Sequence, residues 1–277
     1  MKNNVVISNL FNNLDFSAEM KSPWESQYLN FAEKCNADFI NFSITDNGNI
    51  AKNYAKILSE TYNKKHFTSK MNQLAMFDEI DKCFDKGYEW ALAMDADIII
   101  NPDAEFDINQ HNKDVVYFLS TAPALDGKMK LIKSLKKSFL KKNSIKYGNQ
   151  GVLLINKSVW RSIKNIIFNY ERITRPAKDI EGFFKRVDQN IMSIALTLKN
   201  IKIEQLPNKE NLLFHFIGKN IQIYKDTYKI DSQYFDTLSK NFTKSTSTAL
   251  TSHVLRWAPL LFHHFDLTTD EKQKLWQ

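Results

Sequence analysis

The stretch Trp90-Ala91-Leu92-Ala93-Met94-Asp95-Ala96-Asp97-Ile98-Ile99-Ile100-Asn101-Pro102 decides how the chain is read. Apolar residues run without a break into Asp95 and Asp97, so a buried strand ends at two carboxylates. In an open α/β sheet, ligands gather at the carboxyl ends of strands. Two aspartates one residue apart reach the same divalent cation, and Mg²⁺ and Mn²⁺ favour oxygen ligands shared with substrate phosphates. The alternative is that the pair only marks the solvated end of a strand.

The pattern around this stretch alternates. Upstream, Val5 to Leu10 is a β-branched run expected as a strand, a loop passes through Ser22-Pro23-Trp24, Tyr28 to Cys35 has helical spacing, and Ala37 to Phe42 is a second strand. Strand, helix and strand in this order suggest a βαβ unit. Between Ser69 and Phe84, Met71, Leu74, Ala75, Phe77, Ile80 and Phe84 fall at helical spacing, with Gly87 at the position of a C-terminal cap. Downstream, strands are expected at Val115–Leu119, Gly151–Asn156, Ile201–Ile203 and Leu212–Phe216, and a helix at Asp188–Leu198. The reading is an α/β domain over residues 1–225, with a mostly parallel sheet flanked by helices, followed by a helical C-terminal extension over 226–277.

Composition narrows the function. The chain has 277 residues, a formal charge of +7 and 43% hydrophobic residues, enough apolar material for one large core. Its 7 glycines form neither G-x-G-x-x-G nor G-x-x-x-x-G-K-[ST], so common dinucleotide and P-loop functions lose their main support. Cys35 and Cys83 lack metal-site spacing and read as core thiols in a reducing compartment. No apolar run approaches the ~18 residues that span a bilayer, and Met1 to Leu10 lacks the features of a signal peptide. A cytoplasmic protein is expected.

A D-x-D after an apolar strand also occurs in phosphatases of the haloacid dehalogenase type, whose first Asp is a nucleophile. That pattern wants Thr or Val where Ile99 stands and a later Gly-Asp pair, which is missing, so it is the more distant enzyme class.

Four segments in order resemble the family 8 glycosyltransferases, retaining sugar-nucleotide enzymes of the GT-A fold that include bacterial lipopolysaccharide galactosyl- and glucosyltransferases. Leu92 to Asp97 is similar to the family's strand plus D-x-D. Asn149-Gln150-Gly151-Val152-Leu153-Leu154-Ile155-Asn156 with Trp160-Arg161, Asp188-Gln189-Asn190-Ile191, and His215-Phe216-Ile217-Gly218-Lys219 resemble its three later segments. The resemblance implies a Rossmann-like GT-A domain in which Asp95, Asp97 and His215 hold Mn²⁺ or Mg²⁺ against the diphosphate of a nucleotide sugar. It also implies that Gly218 and Lys219 contact the phosphates, and that Lys70 stands for a basic residue of the donor site. Asn149 and Gly151 would line the sugar and acceptor pocket, Asp188 would bind donor hydroxyls, and Gln189 would lie at the reacting face. The implied reaction moves a hexose, from UDP-Gal or UDP-Glc, to a saccharide or glycolipid acceptor, with retention. A GT-A-like scaffold with a degenerate site is the alternative.

Other features are read from the residues themselves. On an apolar strand His215 alone reads more readily as a core histidine than as a ligand, and it is its Gly218-Lys219 sequel and the D-x-D partner that favour ligation. His263-His264, amid Trp257, Leu260-Leu261-Phe262 and Phe265, reads as packing, and Trp24 and Trp160 as core or rim aromatics. Between Lys128 and Lys146 eight lysines occur with no acidic residue. They form either a solvated helix face or a basic amphipathic element that rests on an anionic membrane, which would make the protein peripheral at the inner membrane face, or on a phosphorylated glycolipid acceptor. No nucleic-acid-reading module accompanies them.

Overall fold

The computed structural model of the protein describes residues 2–8, 18–42, 48–62, 64–121, 125–245 and 254–277. In chain order the elements begin with β1 (Asn4–Ser8), α1 (Ala18–Lys34), β2 (Ala37–Asn41), α2 (Asn49–Thr61), α3 (Lys64–Asp85), β3 (Trp90–Met94), β4 (Ile98–Ile100) and β5 (Val115–Ser120). They continue with α4 (Leu125–Ser134), α5 (Lys137–Leu140), β6 (Asn149–Asn156), α6 (Lys157–Ile167), α7 (Tyr170–Thr174), α8 (Ile180–Phe184), α9 (Val187–Leu198) and β7 (Lys202–Gln205). The last are α10 (Lys209–Leu212), β8 (Leu213–His215), α11 (Lys219–Thr227), α12 (Ser232–Ser245), α13 (Val254–Asp266) and α14 (Thr269–Gln273). Among the described residues no helix is long and apolar enough to cross a membrane.

The chain divides into two compact units. The first comprises residues 1–8, 36–94 and 107–207, the second 9–35, 95–106 and 208–277. The boundary drawn from sequence at residue 225 falls inside α11, and the segments of the two units alternate along the chain. Among the described residues of 226–277 the elements are all helices.

The first unit is built on a six-stranded sheet of order β2-β1-β3-β6-β5-β7. The pairs β1–β2, β1–β3 and β5–β7 are parallel, and β6 runs antiparallel to both of its neighbours. The fold class is thus α/β with a mostly parallel sheet, as the alternating pattern predicts. The strands β1 and β3 are buried at every residue, which is why they read as continuous apolar runs instead of alternating ones. Helices α3, α6 and α9 contribute Phe77, Ile80, Trp160, Ile163, Ile191 and Ile194 to the core. Trp160 is fully buried, and its indole N–H donates to Asp81 Oδ1 at 2.8 Å, while Lys164 pairs with the same carboxylate at 2.7 Å. Helix α2, over Asn49–Thr61, was not read from sequence; Ile50 N–H, in its first turn, donates to Asp78 Oδ1 at 3.1 Å.

The second unit joins α1 and α10 to α14 with a two-stranded antiparallel sheet of β4 and β8. Here the sequence reading needs correction, because Ser22-Pro23-Trp24 is not a loop but lies inside α1. Proline at the sixth residue of α1 removes one backbone hydrogen bond and crowds the carbonyl of Glu19. Burial of Trp24, packed edge-on against Trp257 at 5.2 Å and Phe262 at 5.8 Å, outweighs that loss. Leu213–His215 is likewise a strand, but it pairs with Ile98–Ile100 and not with the large sheet. The strand expected over Val5–Leu10 is described over Asn4–Ser8, and residues 9–17 lie outside the described ones.

Both cysteines are free and buried, and burial pushes the Cys83 thiol up to about 12, which leaves it unreactive.

Candidate metal centre and polar cluster

The D-x-D segment leaves β3 at Met94 and enters β4 at Ile98, so Asp95, Ala96 and Asp97 form the turn between them. Pairing of β4 with β8 sets His215 opposite Ile98, and Phe216 N–H donates to Asp97 C=O at 2.9 Å. This register brings residues 118 positions apart into contact, with His215 Nε2 3.0 Å from Asp97 Oδ1 and 3.9 Å from Asp95 Oδ2. Asp97 and His215 are buried, whereas the Asp95 side chain is 53% exposed.

Helix α1 holds the segment. The Gln27 amide donates to Ile98 C=O at 3.0 Å and accepts from Ile100 N–H at 3.1 Å, acting as a third strand on β4. Tyr28 Oη donates to Asp95 C=O at 2.7 Å. On the other side the His215 carbonyl accepts from Ile217 N–H and Asn220 Nδ2, both at 2.8 Å. Gln27 and Tyr28 were not singled out in the sequence; Tyr28 appears there only as an apolar position of a helix.

The geometry fits a divalent cation. Ligands about 2.1 Å from an octahedral ion stand about 3.0 Å apart when cis and about 4.2 Å when trans. The separations of 3.0 and 3.9 Å fall in that range, and one donor atom from each of Asp95, Asp97 and His215 lies within 4.8 Å of the others. Two carboxylates and an imidazole suit Mn²⁺ or Mg²⁺, with the nitrogen favouring Mn²⁺. Nδ1 of His215 is buried without a hydrogen bond among the described residues, and Nε2 is the nitrogen that faces the carboxylates. Burial opposes a charged ring, but the charge and hydrogen bond of Asp97, joined by Asp95, prevail and raise the His215 pKa above its usual 6.5.

Gly218 and Lys219 follow closely. Gly218 is the residue before α11, with φ 52° and ψ −120°, a conformation open to glycine and strained for other residues. Lys219 opens the helix and is exposed.

The remaining predicted residues belong to the first unit and gather around the start of α9. Asp188 and Gln189 lie in its first turn. Burial raises the Asp188 carboxyl above the ordinary range, against the opposing pull of the Gln189 and Asp188 backbone N–H groups, Lys70 and Arg186. Burial lowers the Lys70 ammonium; Asp188 opposes that shift and Arg186 adds to it. Lys70 Nζ also donates to the Lys185 carbonyl. Gln189 Oε1 accepts from Tyr147 Oη at 2.8 Å and from Arg186 Nη1 at 3.4 Å. Asn149 Oδ1 turns back to accept from Gly151 N–H at 2.8 Å, and Gln150 Nε2 donates to Asp188 C=O at 3.4 Å.

Tyr147 and Arg186 were missed in the sequence, although each stands two residues ahead of a recognised segment. Gly127 on α4 makes room for both, since a Cβ there would collide with Tyr147 Oη and press on Arg186 Nη1. His263 and His264 behave as the packing reading predicts. Burial drives His264 down to about 3, and His263 Nδ1 meets Tyr224 Oη at 3.1 Å. Trp24 and Trp160 are both core residues.

No protein-family model matches the chain, and no curated protein is similar to it.

Proposed function

We propose that the protein is a metal-dependent glycosyltransferase of the GT-A type that moves a hexose from a nucleotide sugar, UDP-linked, to a saccharide or glycolipid acceptor with retention. The observation that carries this reading is the Asp95–Asp97–His215 group at the turn that follows β3. When bound there, Mn²⁺ or Mg²⁺ would supply positive charge to a diphosphate leaving group.

The residues divide that work by exposure. Asp97 and His215 are buried and would anchor the ion, while Asp95 is open to solvent and would hold it on the side that a phosphate can reach. Gly218 and Lys219 stand at the N-terminus of α11, and Lys219 adds an exposed ammonium, both suited to an anion. In the first unit the reading assigns donor hydroxyls to Asp188 and the reacting face to Gln189. Tyr147 and Arg186 fix the Gln189 side chain in one orientation. Lys70, Asn149 and Gly151 keep the donor and pocket roles that the resemblance implies.

The test is hydrolysis of a panel of nucleotide sugars with Mn²⁺, comparing wild type with Asp97→Ala. The expected result is metal-dependent release of nucleoside diphosphate from one donor, reduced at least about 100-fold in the variant. Absence of turnover with every donor, or an unaffected variant, would overturn the assignment. Phosphate release from sugar phosphates instead would point to the phosphatase class.

A further inference from the structure

The eight lysines between Lys128 and Lys146 belong to a segment of the first unit that the glycosyl-transfer reading does not use. Lys130, Lys133, Lys136, Lys137, Lys141 and Lys142 are exposed, and Lys128 and Lys146 are half-buried. The apolar residues of the same segment mostly turn inward. Leu131, Leu135 and Ile145 are buried, and Ile132, Phe139 and Leu140 pack partly covered against the core. The cations therefore stand on a firmly anchored base. Residues 134–136 are tied to a second strand of chain through the Leu135–Ala177 bridge, Lys136 N–H to Pro176 C=O at 2.8 Å and Lys178 N–H to Ser134 C=O at 2.8 Å. This adds the exposed Arg175 and Lys178 to the same surface. Asp179 lies beside them, with its Oδ1 occupied by Gly182 N–H.

Two apolar side chains complete the pattern. Among the described residues of this unit, the large hydrophobics that remain exposed are Met129, at 46%, and Leu198, at 38%. Met129 lies within the lysine run between Lys128 and Lys130. Leu198 follows Thr197, whose hydroxyl accepts the Lys146 N–H at 3.0 Å, and precedes the exposed Lys199.

We propose that this segment is a docking surface for a membrane that carries anionic lipid. Lysine ammonium groups act as point charges without the planar fork of arginine, which suits a diffuse negative surface better than recognition of one phosphate. The one aromatic ring of the run, Phe139, packs against the core, whereas single-stranded nucleic acid would require exposed rings on which bases stack. Exposed Met129 and Leu198 gain from contact with the headgroup boundary and gain nothing from a phosphate backbone. The inference does not depend on the glycosyltransferase reading.

The test is co-sedimentation of the full chain, in EDTA, with phosphatidylcholine vesicles with or without about 30% phosphatidylglycerol. Each lysine near an anionic leaflet strengthens binding about fivefold, so reversing Lys133, Lys137, Lys141 and Lys142 to Glu weakens it at least about 100-fold. The same four positions changed to Gln give a second variant with a smaller loss in the same direction. A control with the same net charge, Lys52→Glu, Lys56→Glu, Lys86→Glu and Lys113→Glu, loses less than about tenfold. Wild-type binding falls steeply as salt rises. Three results each overturn the proposal: no preference for phosphatidylglycerol, equal loss in variant and control, or tighter binding of a short DNA duplex through the same lysines.

Discussion

In the metal-free protein His215 Nε2 carries a proton, because it lies 3.0 Å from a carboxylate oxygen of Asp97 that can only accept. A cation that takes Nε2 as a ligand must displace that proton. In a neutral ring that proton moves to Nδ1, so only the charged ring releases one to solvent; the His215 pKa is raised above 6.5 against the cost of burial, so at about pH 6 more than about three-quarters of the rings are charged. Apparent Mn²⁺ affinity then falls about tenfold for each pH unit below the folded pKa, with one proton released per ion in the acid limit. Titration calorimetry at about pH 6, in two buffers of different ionisation enthalpy, measures the release directly and should give at least about 0.75 protons per Mn²⁺. His215→Ala removes both the proton release and the pH slope, and it weakens binding by at least about 100-fold, more than the loss of an outer-shell partner. Binding in wild type that is indifferent to pH from about 5.5 to 7.5, or a variant that binds Mn²⁺ as tightly, would refute the assignment of Nε2 as a ligand.

Three further outcomes follow from the same geometry. In EDTA, the proton on His215 stabilises the fold fully below about pH 6.5 and less as pH rises through the raised pKa, so the metal-free Tm should drop from about pH 6 to about pH 9, by a margin that Asp97→Asn removes. The Asp188 carboxyl, raised by burial, costs stability once pH exceeds its unfolded value of about 4, so Asp188→Asn should raise Tm at neutral pH by at least about 1 °C while turnover falls. Gln27→Leu leaves Ile98 C=O and Ile100 N–H without the amide that bridges them; thermal melts should show a loss of about 1–3 kcal/mol and calorimetry about tenfold weaker Mn²⁺ binding.

Much of the frame is legible in the residues, and the exceptions are instructive. The runs Val5-Val6-Ile7 and Trp90 to Met94 are strands because a sheet buried on both faces demands continuous apolar sequence, a local requirement. The start of α9 at Asp188-Gln189 is equally local. Pro23 misleads because proline is a loop signal on its own, while the burial that keeps it helical comes from Trp257 and Phe262, more than two hundred residues away. Ile98–Ile100 is too short to be distinguished from the tail of β3, and its strand character exists only because Leu213–His215 pairs with it. Gln27 carries no signal in sequence, since a glutamine on a helix becomes a surrogate strand only when a β-edge lies beside it.

By itself the sequence determined the α/β alternation, the buried strands, the two carboxylates at the end of β3 and the lysine run with no acidic residue inside it. These are properties of neighbouring residues, set by side-chain periodicity and composition. Only the tertiary structure decided that β6 runs against its neighbours, that β4 and β8 form a sheet of their own, and that His215 joins Asp95 and Asp97. Strand direction and partner choice depend on how distant segments bury their faces together. A ligand set assembled across 118 residues therefore has no local cause, and it forms when one backbone register, Ile98 against His215, is satisfied.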